Sequence, residues 1–247
     1  MRATGLLSVT FRKLSAEQII KLTAQAGLDG IEWGGDVHVI PGNLKRAEEI
    51  KNATVDAGLI NFAYGSYWRA NCEPKMIAET AEALGVQWIR IWAGVMPSSK
   101  CTIEMRKQTV EYLQKLCSEV PSGMQVAAEW HCNSLTDNAE SAVKLIEEVN
   151  ADNFFCYFQR ENRSNPHVDN LNDLLSFPKE KIRAIHVHYC KEQERLPLSD
   201  GFNEWQELFK HIPEKIPALL EFVRNDSVEQ FFEDAEILKK LITIKNI

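Results

Sequence analysis

Residues 124–131 read MQVAAEWH, a short apolar run closed by a carboxylate at Glu129. Three later stretches repeat that form. NFFCYFQ ends at Gln159, IRAIHVH at His188 and IPALLE at Glu221. Each run has the length and composition of a buried strand. A carboxylate or imidazole there is costly to bury unless it is paired or holds a metal. Four such residues on four successive strands point to one shared site, with two glutamates, a histidine and an amide oxygen around a divalent ion.

Outward from these runs, apolar segments alternate with amphipathic ones along all 247 residues. The predicted strands are Leu6–Phe11, Gly30–Trp33, Leu59–Tyr64, Val86–Trp92, Met124–His131, Asn153–Gln159, Ile182–His188 and Pro217–Phe222. Helical patterns lie between them. Ser15 and Gln18 fit a capping box, Asn43 and Asp137 fit N-caps, and Gly27, Gly58 and Gly85 fit left-handed C-caps. Strand–helix alternation implies parallel βαβ units, and eight of them in about 250 residues suit a barrel. A doubly wound open sheet would place a glycine-rich loop after its first strand; SVTFR at 8–12 has no glycine. The expected fold is α/β, a single (β/α)8 TIM barrel forming one domain over residues 1–247.

The net charge is −7. Phosphate-backbone binding needs a basic surface, so nucleic acid is not an expected partner. No apolar stretch approaches the roughly 20 residues of a membrane helix. The N-terminal MRATGLLSVTFRK lacks the apolar length and cleavage site of a signal peptide. The expected location is cytoplasmic. The six cysteines show no CxxC spacing and read as reduced thiols. Cys132 and Cys190 adjoin the candidate site, which leaves a zinc–thiolate role open.

Residues two apart on a strand share a face. Glu129 pairs in this way with His131, His186 with His188, and Tyr157 with Gln159; Ser8, Thr10 and Arg12 form a polar row, and Trp88, Arg90 and Trp92 another. These faces are expected to point into the barrel. Glu32 with Arg90 reads as an internal ion pair.

Together these residues carry a resemblance. The chain resembles the xylose isomerase-like TIM barrel superfamily, in particular its sugar phosphate isomerase/epimerase members. The motifs are SVTFRKLS, AGLDGIEWGGDVHV, IRIWAG, AAEWHCNSLTDN, HVH, ERLPLSDG and LLEFVRND. The resemblance implies a divalent metal held by a Glu, an Asp, a His and a Glu of the fifth to eighth strands, here Glu129, Gln159, His188 and Glu221. Gln159 departs from the Asp, and Asn162 stands where several epimerases have a His. A neutral amide should bind the ion more weakly and leave it a stronger Lewis acid. The donor set suits Mn²⁺, Mg²⁺ or Zn²⁺.

The expected activity is isomerisation or epimerisation of a sugar or sugar phosphate through an enediolate, with Glu129 and Glu221 moving the proton. The alternatives are an inositol-type dehydratase and a non-catalytic sugar-binding barrel whose metal site has decayed through Gln159. Expected substrate contacts are His131, His186, Arg195, Trp33 and His38. Arg195 and Lys191 could meet a phosphate or carboxylate. The sequence also admits a homo-oligomer.

Overall fold

The computed structural model describes residues 2–160, 169–192 and 194–243; Asn162 lies outside them. Among these residues, eight parallel strands close into a barrel. They are β1 (Thr4–Leu7), β2 (Gly30–Gly34), β3 (Ile60–Gly65), β4 (Trp88–Ile91), β5 (Gln125–Ala128), β6 (Phe154–Gln159), β7 (Ile182–Val187) and β8 (Ala218–Leu220). Each pairs with its neighbours in sequence, and β1 closes the ring by pairing with β8, Thr4 opposite Ala218. The helices are α1 (Ala16–Gln25), α2 (Leu44–Asp56), α3 (Lys75–Leu84), α4 (Ile103–Glu119), α5 (Ala139–Val149), α6 (Asn170–Ser176), α7 (Phe202–Lys210) and α8 (Val228–Thr243). No helix among the described residues is long and apolar enough to cross a membrane.

Local chemistry explains the boundaries. Ser15 and Gln18 form a reciprocal capping box on α1, and Asn43 caps α2 by accepting from the Arg46 amide. On α5 the cap is Asn138, one residue after the expected Asp137; the Asp137 carboxylate instead accepts from the Ser98 amide. Gly85 ends α3 at φ 67°, a left-handed conformation that costs glycine little.

Two apolar layers result. The outer one packs helices on strands and holds Ile89, Ile91 and Trp33. The inner one fills the barrel with Leu7, Phe62, Trp88, Ala127, Tyr157, Ala184 and Leu219.

The first strand differs from expectation. It ends at Leu7, and Ser8–Phe11 coil into a 3₁₀ turn. There the Ser8 hydroxyl accepts from the Gly34 amide at 2.8 Å and the Thr10 hydroxyl from the Phe222 amide at 3.1 Å. Such side-chain bonds to backbone offer an alternative to the strand ladder. The polar row expected at Ser8, Thr10 and Arg12 is therefore a turn. A short antiparallel hairpin, Cys190–Lys191 with Glu194–Arg195, follows β7 and was not foreseen.

Asp234 on α8 fixes the turn ahead of α7. Its Oδ1 accepts from the Leu198 amide at 2.9 Å and from Gln230 Nε2 at 3.0 Å. Burial pushes its pKa up to about 6 from the ordinary 3.8. A carboxyl raised in this way gives full stability below its unfolded value and loses it as pH rises through the folded value. Asp234→Asn, which keeps the acceptor oxygen, is expected to stabilise the fold by roughly 1–2 kcal/mol near pH 8 and hardly at all near pH 4. Urea unfolding at the two pH values checks this; equal effects at both would refute it.

Candidate active site

The side chains pointing into the barrel at its C-terminal end are charged. Arg90 of β4 is buried there, donating through Nε to Glu32 Oε1 at 2.5 Å and through Nη1 to Glu129 Oε2. Glu32 Oε2 also accepts from the Tyr157 hydroxyl at 2.5 Å, and Tyr157 accepts from Trp88 Nε1. Gly65 makes room for this network. A Cβ at that position would lie 2.4 Å from Arg90 Nη2 and 2.9 Å from Glu32 Oε1.

Above this layer stand the residues at the strand ends. Glu129 follows β5, and its amide still bonds the Ile91 carbonyl at 2.8 Å. Its Oε2 also accepts from Trp92 Nε1 at 2.6 Å, and its Oε1 from Gln159 Nε2 at 3.3 Å. Glu221 follows β8, its amide bonded to Val187 at 3.0 Å. Its Oε2 lies 3.5 Å from His186 Nδ1 and 3.4 Å from His188 Nδ1. Both histidines of HVH thus face one carboxylate oxygen. His186 also lies 3.5 Å from Glu32 Oε2 through Nε2.

Burial opposes charge on every one of these groups, and the partners decide the outcome. On Glu221 the desolvation cost is outweighed by His186 and His188, and the pKa falls to about 2. Glu32 is lowered in the same way, by Arg90 and His186. His186 is raised: burial disfavours its charged form, but Glu221 and Glu32 outweigh it.

These residues line a cavity of about 330 Å³ at the barrel mouth, with Glu129, Gln159, His188, Glu221 and His131 in its wall. His131 stacks on Trp92 with ring centroids 4.0 Å apart, and Arg69 covers Trp92, its guanidinium carbon 3.8 Å from the ring centroid. Cys132 lines the same cavity; Cys190 is buried beside it, and all six cysteines are free thiols.

The donor set fits a divalent cation. Single ligand atoms of Glu129, His186 and Glu221 lie within 4.8 Å of one another. Three carboxylates, Glu32, Glu129 and Glu221, share one permanent cation, Arg90, so two negative charges remain to be balanced. Oxygen with imidazole suits Mn²⁺, Mg²⁺ or Zn²⁺. This grouping takes the deeper His186, with His188 one step above it against the same Glu221 oxygen. Gln159 touches this group from the side: its nitrogen donates to the Trp130 carbonyl and to Glu129, while its oxygen faces His186 Nδ1 at 3.4 Å. The reverse amide orientation would set that oxygen against two acceptors.

Four expected substrate contacts lie outside the wall of this cavity. Trp33 is fully buried in the outer layer and donates to Asn61 at 2.8 Å. It points outward because Glu32 beside it points inward. His38 is buried with Nε2 3.0 Å from the Leu14 carbonyl. His186 lies beneath the cavity floor with no exposed surface. Arg195 sits at the edge of a neighbouring cavity, paired with Asp226. The sequence reading missed Tyr157 and Trp88 as supports of Glu32; their alternation with Gln159 and Arg90 was the available signal.

The sequence profile of the xylose isomerase-like TIM barrel family matches residues 20–241. No curated protein sequence matches the chain. Among solved structures, the probable 3-DHS dehydratase AsbF of Bacillus anthracis, involved in petrobactin synthesis, is 19% identical with a TM-score of 0.79, over 97% of this chain and 99% of its own. A xylose isomerase-like TIM barrel protein of Mycobacterium smegmatis, in complex with magnesium, is 14% identical with a TM-score of 0.75, over 98% and 97%. D-psicose 3-epimerase of Clostridium cellulolyticum H10, with D-tagatose, is 15% identical with a TM-score of 0.71, over 98% of both chains. At these identities the structures speak to fold, whereas the family profile covers most of the sequence. The chain belongs to the xylose isomerase-like TIM barrel family.

Proposed function

We propose that the chain is a divalent-metal-dependent isomerase or epimerase of a sugar or sugar derivative, working by proton transfer at the carbon next to a carbonyl. The observation that carries this is the convergence of Glu129, His186 and Glu221 at the mouth of the barrel. Glu129, Glu221 and a histidine of HVH would hold the ion. A bound divalent cation supplies Lewis acidity to the carbonyl and hydroxyl oxygens of the substrate.

The chain's own groups would do the rest. Glu221, ionised near neutral pH, would remove the proton and leave an enediolate. Glu129, having taken up a proton from solvent, would deliver it to the opposite face of the same carbon, which epimerises, or to the neighbouring carbon, which interconverts aldose and ketose, while Glu221 gives its proton up to solvent. Arg90 and Trp92 fix the Glu129 carboxylate. His131, stacked on Trp92, contacts substrate hydroxyls. The cavity of about 330 Å³, lined by charged and aromatic side chains, suits a sugar-sized substrate. The dehydratase reading shares the first proton removal, and the likeness to AsbF favours keeping it as the second reading.

Solvent-deuterium exchange followed by NMR, over a panel of ketoses, aldoses and their phosphates, tests both readings. Exchange next to the carbonyl with recovery of an isomer or epimer is expected. Exchange followed by loss of a hydroxyl would indicate the dehydratase. No exchange, together with no stoichiometric metal in protein purified without chelators, would leave the non-catalytic barrel.

A further inference from the structure

Two cavities meet at Arg12. One is the candidate site. The other, about 480 Å³, lies between the turn after β1 and the loop after β8. Arg12 lines both. The second cavity also takes in Lys13, Arg195 and Asp226. Three cations gather there beside one acid, in a chain whose net charge is −7.

Arg12 is held in place by three loops. Its Nε donates to Asp36 at 2.8 Å, Nη1 to the Val9 carbonyl at 3.1 Å and Nη2 to the Tyr67 hydroxyl at 2.7 Å. A guanidinium has five N–H donors in a rigid fork, so these bonds leave one N–H on each terminal nitrogen. That fork matches the paired oxygens of a carboxylate or phosphate. Fixing it in advance lowers the ordering cost of binding. Arg195 is held too, paired with Asp226 and with its guanidinium carbon 4.1 Å from the Phe222 ring centroid. Phe222 lines the first cavity, so the Arg195–Phe222 contact lies on the boundary between the two. Phe222, Asn225 and Asp226 adopt φ of 53°, 60° and 51°. Such conformations cost energy outside glycine and cluster at ligand sites.

We propose that the second cavity binds an anionic group of the substrate, a carboxylate or a phosphate, while the carbonyl end lies over Glu129 and Glu221. The substrate is then a sugar acid or a sugar phosphate rather than a neutral sugar. Only the placement of the carbonyl end rests on the proposed activity; the anion site needs neither metal nor turnover.

The test is calorimetry on chelator-treated protein, with inorganic phosphate and acetate as separate probes and glycerol as the neutral control. At least one anion is expected to bind saturably, with a millimolar dissociation constant and about tenfold or more ahead of glycerol. Its affinity falls as salt is raised. Arg12→Gln and Arg195→Gln are each expected to weaken it by about tenfold or more. Melting temperatures show whether either variant disturbs the fold. Binding of phosphate alone assigns a sugar phosphate; binding of acetate alone assigns a sugar acid. No saturable binding of either anion, or binding unchanged in both variants, overturns the proposal. The proposed activity fails separately, through absent metal and absent exchange with anion binding intact.

Discussion

Glu221→Gln is expected to lower Mn²⁺ affinity more than about 100-fold and to slow proton exchange by about 10²–10⁴-fold. Loss of a group that merely supports a metal ligand already costs about 10–100-fold, and Glu221 would be a ligand itself. Loss of a general base accounts for the second figure. Glutamine fills the same space, so the fold should persist by circular dichroism. Near neutral pH the wild-type carboxylate is ionised, with a pKa near 2. Its stabilising effect is present above the unfolded value and is lost as pH falls through the folded value. Glu221→Gln also removes the largest charge that raises His186, so His186 should titrate lower by NMR. Titration calorimetry and solvent exchange give the main readouts. Wild-type metal affinity with wild-type exchange would end the metal-site reading.

Arg90→Met should have the largest effect on stability. The arginine is 2% exposed and holds two carboxylates, Glu32 and Glu129, with side chains 1% and 5% exposed. Removing the cation leaves both without their main partner in low dielectric. Breaking a buried pair typically costs about 3–5 kcal/mol. For a domain of this size that corresponds to a melting temperature lower by roughly 6–20 °C. Adding Glu32→Gln should recover part of the loss, because one unpaired charge is gone. A double-mutant cycle by denaturant unfolding measures that coupling. An Arg90→Met cost under about 1 kcal/mol, or no recovery in the double variant, would contradict this account.

Much of the architecture was legible because strand alternation and helix caps are local signals. Trp88 and Arg90 point inward while Ile89 and Ile91 point outward, as their spacing requires. Trp33 shows the same rule neglected. An inward Glu32 already obliges its neighbour to face the helices. The first strand failed for a different reason. Leu6–Phe11 has strand-like composition, but two hydroxyls find backbone amides some 26 and 212 residues away, and no local signal reports that. Arg12 was expected to face into the barrel with Ser8 and Thr10; it meets Asp36 of the loop after β2 instead. For His186 and His188, alternation gave the shared face, but strand height depends on register with β8, which is tertiary information.

The pairing of β1 with β8 also bears on the order of assembly. Proteins generally begin folding from the N-terminus as they are synthesised, and contacts distant in sequence form late because closing long loops costs entropy. Thr4 and Ala218 cannot meet until both have left the ribosome. Glu221 and its contacts with His186 and His188 belong to that last stage, whereas Arg90 and Glu32 can associate much earlier. A nascent chain would thus carry a neutralised inner layer before it acquires the carboxylate that completes the candidate ion site, and premature capture of a cation there would be disfavoured.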